Sequence, residues 1–143
     1  MAEQITVHAT CVALENKGVL LRGPSGAGKS DLAIRLIETG GLLVSDDQVV
    51  LTSEKNRIMA SPPTSLAGLL EVRGVGICSY DFLKKCQLAV LIDLKPGCTP
   101  ERMPDINDQR QSLLGVDITC FQLDPFQASA SAKVMIILKQ LLA

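Results

Sequence analysis

Residues 23–30 read Gly-Pro-Ser-Gly-Ala-Gly-Lys-Ser and fit G-x-x-x-x-G-K-[ST] without a mismatch. The flanks constrain the fold further. Gly18 to Arg22 reads as a short buried strand, and Asp31 to Glu38 as an amphipathic helix, so the glycines sit at a strand-to-helix turn. In such a turn the backbone wraps closely enough for successive N–H groups to point inward, an anion-binding nest at a helix N-terminus. Gly23, Pro24, Ser25, Gly26, Ala27 and Gly28 then form the cradle, Lys29 reaches the β- and γ-phosphates, and the Ser30 hydroxyl ligates Mg²⁺. The pattern predicts a site for ATP and Mg²⁺ in an α/β fold.

The rest of the composition narrows the setting. A chain of 143 residues suits one domain with a full core, and with 47% hydrophobic but only 3% aromatic residues that core is aliphatic. Net charge is -1 and no basic run alternates with aromatics, which argues against nucleic acid as a partner. No apolar run approaches the roughly 18 residues that span a bilayer. Met1-Ala2-Glu3-Gln4 lacks the charged-then-apolar order of a signal peptide. The 5 cysteines are odd in number, widely spaced and without a C-x-x-C pair, a poor zinc site and a poor disulfide framework. Reduced thiols and a cytoplasmic location away from membranes are expected.

Taken in order, Ile5 to Leu14 is rich in β-branched residues and reads as one strand, joined through Asn16-Lys17-Gly18 to a hairpin partner. The helix from Lys29 to Glu38 places Leu32, Ile34, Leu36 and Ile37 largely on one side and ends at Gly40-Gly41. Leu42 to Val44 is a short apolar strand, and a hairpin around Glu54-Lys55-Asn56 joins Gln48–Leu51 to Arg57–Ala60. Ser65 to Leu69 suggests a helical turn. Leu70 to Ile77 starts extended and becomes loop-like at its glycines. Gln87 to Leu94 is a near-continuous apolar run, the mark of a strand buried on both faces. Lys95 to Gln111 reads as a long loop, Ile118 to Leu123 as a last strand, and Ala130 to Leu142 as a helix capped by Ser129. Val134, Ile137, Leu138 and Leu141 would form its inner face. One α/β domain with a mixed central sheet is the expectation.

The strand at Leu42–Val44 stops at Ser45-Asp46-Asp47, and a carboxylate at a strand end beyond a phosphate loop is suited to organising Mg²⁺. In extended chain the adjacent carboxylates point to opposite faces. One faces the metal and the other is free to accept a hydroxyl proton; the sequence leaves open which does which. His8, the sole histidine, lies on a strand, where a structural role is the more frequent one. Glu71 and Arg73, spaced by one residue in extended chain, share a face. They fit equally a metal-directed carboxylate beside a phosphate-binding guanidinium and a surface ion pair.

Val7-His8-Ala9, the loop at 23–30, Val44-Ser45-Asp46-Asp47 and the segment Leu70-Glu71-Val72-Arg73-Gly74-Val75-Gly76-Ile77 together resemble the HPr kinase/phosphorylase family, in its C-terminal catalytic domain. The last segment is close to that family's L-E-[IV]-R-G-[LIV]-G-[IL] signature, and the resemblance runs from about Thr6 to Leu94. It implies a single domain over residues 1–143 with a fold like that of phosphoenolpyruvate carboxykinase. It also implies use of Mg-ATP to phosphorylate a serine of the phosphocarrier protein HPr of the sugar phosphotransferase system, reversal by phosphorolysis, and a hexameric homo-oligomer. By the same resemblance Lys29 holds the β-phosphate, and Ser30 and Glu71 coordinate Mg²⁺; Asp46 is added to them as the metal-directed carboxylate of the acidic pair. Asp47 takes the proton of the acceptor serine, and His8 acts beside the phosphates. Arg73 contacts phosphate or the acidic residues.

The sequence also departs from that family. Its full-length members carry an N-terminal domain, for which the expectation here is a short form without one, and Pro24 stands where the loop often has Asp. A family arginine after the buried strand has Arg102 as its nearest counterpart, with Arg110 the competing choice. The later Lys-x-Gly-Arg-Asn stretch associated with phosphorolysis would fall near Asp124-Pro125-Phe126-Gln127, where no basic residue remains. The expectation is therefore a kinase with weak or no phosphorolysis. A P-loop kinase of a small metabolite and a non-catalytic nucleotide-sensing module are the alternatives.

Overall fold

The computed structural model describes residues 3–105 and 109–142. The chain runs β1 (Gln4–Val7), β2 (Thr10–Leu14), β3 (Lys17–Arg22), α1 (Lys29–Glu38), β4 (Leu42–Ser45), β5 (Val49–Glu54) and β6 (Arg57–Ser61), then a 3₁₀ turn at Thr64–Leu66. It continues through β7 (Leu69–Val72), β8 (Gly76–Ser79), β9 (Cys86–Leu94), β10 (Arg110–Leu113), β11 (Val116–Leu123) and α2 (Ala130–Leu142). Among the described residues, β7 and β8 form a separate hairpin and the other strands form one mixed sheet in the order β1-β5-β6-β9-β3-β2-β4, with β11 on β9 and β10 on β11.

The apolar run of β9 sits at the centre, as a strand without a polar face must. One edge pairs in parallel with β3 along its length. The other edge is divided: Cys86 and Gln87 pair with β6, while Val90 to Leu94 pair with β11. The sheet curls, bringing the β1/β2 junction against the β4/β5 junction, where the Ala9 N–H donates to the Asp47 carbonyl at 3.2 Å. Each sheet face then buries its own aliphatic cluster. Val12, Val19, Leu21, Val90 and Ile92 meet Leu32 and Leu36 of α1 and Val134 and Leu138 of α2. Cys11, Leu20, Val49, Leu51, Ile58 and Leu91 fill the inside of the curl. At about 25 cal/mol per Å² of apolar surface, this burial is the main force holding the glycine loop against the acidic residues.

Most elements lie where the sequence places them, α1, β9 and α2 most closely. The expected single strand over Ile5 to Leu14 is instead broken at His8-Ala9, because Val7 pairs with β5 while Cys11 pairs with β4. The glycine-rich end of Leu70 to Ile77 is not simply a loop. Gly74, at φ +84°, makes the turn, and the chain resumes extended pairing at Gly76. The loop from Lys95 ends earlier than expected, at β10, whose partner is β11; residues 106–108 of that loop lie outside the described residues. Ile34 is not part of the core face of α1, which buries Leu32, Ala33 and Leu36.

Candidate functional site

The glycine loop links the C-terminal end of β3 to α1, and Gly28 caps the helix at φ +91° with no side-chain hydrogen bond. The first N–H groups of α1 therefore have no intrahelical partner, and the partial positive charge of the helix end adds to them. Gly23 is required by contact: a Cβ there would stand 2.9 Å from the Ala27 Cβ and 3.1 Å from the Leu94 carbonyl oxygen. Gly28 is required by conformation as well as by space. The Lys29 ammonium folds back over the loop and donates to the carbonyls of Gly23 (2.6 Å) and Pro24 (3.0 Å).

The cleft beside the loop has a volume of about 360 Å³ and is lined in part by His8, Thr10, Lys29, Ser30, Asp46, Asp47, Glu71 and Arg73. The adjacent aspartates have different surroundings. Asp46 is 7% exposed. Its Oδ1 accepts from the Thr10 hydroxyl (2.8 Å) and the Ser30 hydroxyl (2.9 Å), and its Oδ2 from the Glu71 N–H (3.2 Å). One carboxylate thus ties β2, α1 and β7 to the end of β4. Asp47 turns the other way. Its backbone is left-handed at φ +70°, its side chain is 61% exposed, and its Oδ1 lies 3.4 Å from the His8 Nδ1. The bend replaces the simple alternation of an extended strand and leaves both acids on the cleft.

Glu71, at the end of β7, and Arg73, in the following turn, both line the cleft. Arg102 and Arg110 do not. Arg102 is an exposed residue of the loop after β9, and Arg110 opens β10; neither belongs to the cleft lining. Sequence reasoning passed over Thr10 and Phe126. Thr10 was legible as a polar residue in an otherwise apolar strand, and it is fully buried with its hydroxyl on Asp46. Phe126 follows a proline in a loop and is 59% exposed in a chain almost without aromatics.

Ser30, Asp46 and Glu71 bring three hard oxygen donors to the cleft beside the N-terminal end of α1. That donor set fits Mg²⁺, which is held by one or two carboxylates together with phosphate oxygens and water. Among the described residues no three His, Cys, Asp or Glu side chains cluster as an all-protein metal site. The arrangement offers a phosphate cradle, a buried carboxylate next to a hydroxyl, and an exposed carboxylate next to an imidazole.

Residues 1–138 match the family model of the HPr serine kinase C-terminal domain. The chain belongs to this family. Relatives of the HPr kinase family include the HPr kinase/phosphorylase of Streptococcus equinus, 31% identical over 95% of this chain and 47% of its own length. That of Caldicellulosiruptor bescii is 33% identical over 82% of this chain and 41% of its own length. The chain therefore spans less than half the length of these relatives. Its fold is similar to that of the HPr(Ser) kinase/phosphatase of Coxiella burnetii, with a TM-score of 0.83, 23% identity and 95% of each chain covered. The HPr kinase family's mixed α/β fold with a curled sheet is the fold of this chain.

Proposed function

We propose that the chain is the catalytic core of a Mg-ATP-dependent kinase that phosphorylates a serine of HPr. The observation that carries this reading is the pairing of the glycine loop with two unlike carboxylates, Asp46 bonded to Ser30 and Asp47 exposed beside His8. The names of its relatives supply the acceptor.

Phosphoryl transfer asks the protein mainly for positioning and for neutralisation of charge. The loop N–H groups and the end of α1 would hold the phosphates of ATP. Lys29 would leave its carbonyl partners for the β- and γ-oxygens. Ser30, Asp46 and Glu71 would hold Mg²⁺, which supplies charge neutralisation on the phosphate oxygens. Asp47, free of the bonds that occupy Asp46, would accept the proton of the attacking serine hydroxyl, and His8 would orient its carboxylate. Arg73 is the guanidinium that faces the cleft, and we assign phosphate contact to it; Arg102 carries no step in this proposal. Phosphorolysis would be weak, since Asp124 to Gln127 brings no cation to the loop. A cytoplasmic location and a hexameric assembly complete the reading. Among the described residues no helix is long and apolar enough to cross a membrane.

The test is incubation of the pure chain with Mg²⁺, γ-labelled ATP and HPr. Label on the HPr serine, lost in Asp47→Asn while ATP binding persists, is the expected result. ATP binding without transfer to HPr would favour a nucleotide-sensing module or a metabolite kinase instead, and label on a small-molecule hydroxyl would select the latter.

A further inference from the structure

We infer that Phe126 is the platform on which the base of the nucleotide stacks, an assignment that rests on the cleft's holding a nucleoside triphosphate. Phe126 lines the cleft, and its ring carbons Cε1 and Cζ lie 3.2 Å from where a Cβ on Gly28 would stand. The ring is thus set at the start of α1, next to the phosphate cradle, with 59% of the residue still exposed. A ring this exposed on the cleft lining has apolar surface free for a ligand to cover.

The turn that carries the ring is fixed on both sides. The Phe126 N–H donates to Asp124 Oδ1 at 3.0 Å, and the Gln127 N–H to the Asp124 carbonyl at 3.4 Å. Arg35 of α1 donates from Nη2 to the Pro125 carbonyl and pairs through the same nitrogen with Asp31 at 3.1 Å. Lys133 of α2 donates to Gln127 Oε1 at 2.9 Å. The platform is therefore held by α1 and α2 together before any ligand arrives, which reduces the ordering cost of binding.

The charge pattern of the cleft decides which wall takes the base. Asp46 and Asp47 lie with Thr10, His8 and the Glu71 N–H at the strand ends, while Phe126 lies against Gly28 at the start of α1, so these carboxylates and the phenyl ring line different parts of the cleft. With the phosphates at the end of α1, an uncharged aromatic base is suited to the phenyl wall, and the acidic wall is left to the acceptor hydroxyl. Stacking reads a π-face and not a hydrogen-bonding edge, so it tolerates every base and favours the larger ring systems. ATP and GTP would bind within a few-fold of one another, and both more tightly than CTP.

Titration calorimetry of Mg-ATP and of magnesium tripolyphosphate against the wild type, Phe126→Ala and Phe126→Trp tests this. Phe126→Ala is expected to raise the Kd for ATP roughly tenfold and to leave that for tripolyphosphate unchanged. Phe126→Trp is expected to keep ATP affinity. Because the chain has no other tryptophan, it should also show fluorescence quenched by ATP and not by tripolyphosphate. Wild-type ATP affinity in Phe126→Ala overturns the inference, as does a parallel loss for both ligands, which would mean the ring merely supports Gly28. Unchanged ATP affinity with loss only of transfer to the acceptor protein overturns it in favour of a docking role. A wild-type chain that binds neither ligand would instead remove the nucleotide reading beneath it.

Discussion

Replacing Asp46 by alanine should destabilise the fold by an amount that follows from its three hydrogen bonds. The Thr10 hydroxyl is fully buried and would lose its acceptor, at a cost of about 1–3 kcal/mol for an unsatisfied buried donor. The Glu71 N–H would lose a part-buried bond worth about 1 kcal/mol, and Ser30, open to the cleft, would find water at little cost. Removing a buried charge returns some desolvation energy, which offsets part of this. The net loss is about 2–3 kcal/mol, or roughly 5–10 °C in Tm for a domain of this size. Asp46→Asn keeps one oxygen for the two hydroxyls and sets an NH₂ against the Glu71 N–H, so it should lose about half as much. The double variant Thr10→Val/Asp46→Ala should recover about 1 kcal/mol relative to Asp46→Ala, since no hydroxyl is left orphaned. Thermal and urea unfolding followed by circular dichroism measure all of these. A Tm within 1 °C of wild type for Asp46→Ala, or strict additivity in the double variant, would refute the account of Asp46 as the tie between β2, α1 and β7.

Asp47→Asn should abolish transfer to HPr yet change stability by less than about 0.5 kcal/mol, because the side chain is exposed and asparagine accepts its left-handed backbone; activity and Tm measured together check this. Gly28→Ala should cost about 1–2 kcal/mol from φ +91° alone, more with the Phe126 ring in the way, and should weaken tripolyphosphate binding, read by calorimetry. Burial, then the Asp93 carboxylate beside it, push the Cys120 thiol up to about 11. Its folded value exceeds its unfolded one, so the stabilisation is complete below the unfolded thiol range and fades as pH rises towards 11. Cys120 should therefore resist iodoacetamide at pH 8.5, and Asp93→Asn should speed its alkylation in a mass-resolved time course.

Local signals carried the loop, α1 and β9: glycine spacing, a 3.6-residue period and an unbroken aliphatic run are written in adjacent residues. The signature around Glu71 and Arg73 was equally readable as a motif, although Arg73 lies in the turn after β7, where alternation no longer decides its side. What the sequence did not carry depends on pairing between distant segments. Nothing near His8 says that Val7 and Cys11 bond to different strands, so one strand was expected where the sheet bends. β10, short and exposed, exists because β11 offers it an edge. The unlike surroundings of Asp46 and Asp47 come from Thr10 and His8, 36 positions upstream in sequence for the bonded pair. Arg102 is the nearest counterpart by order along the chain, and order does not specify where a long loop leads.

The meeting of the β1/β2 and β4/β5 junctions has a mechanical consequence. His8 and Thr10 stand on one side of this seam and Asp46 and Asp47 on the other, joined by the Ala9–Asp47 backbone bond. The glycine loop is coupled to this seam through the Ser30 hydroxyl on Asp46, so a change in the curl would be felt at the loop as well. The aliphatic residues inside the curl therefore bear on how these four groups are placed relative to one another. Ile58 and Ala60, fully buried and far in chemistry from any phosphate, belong to that filling.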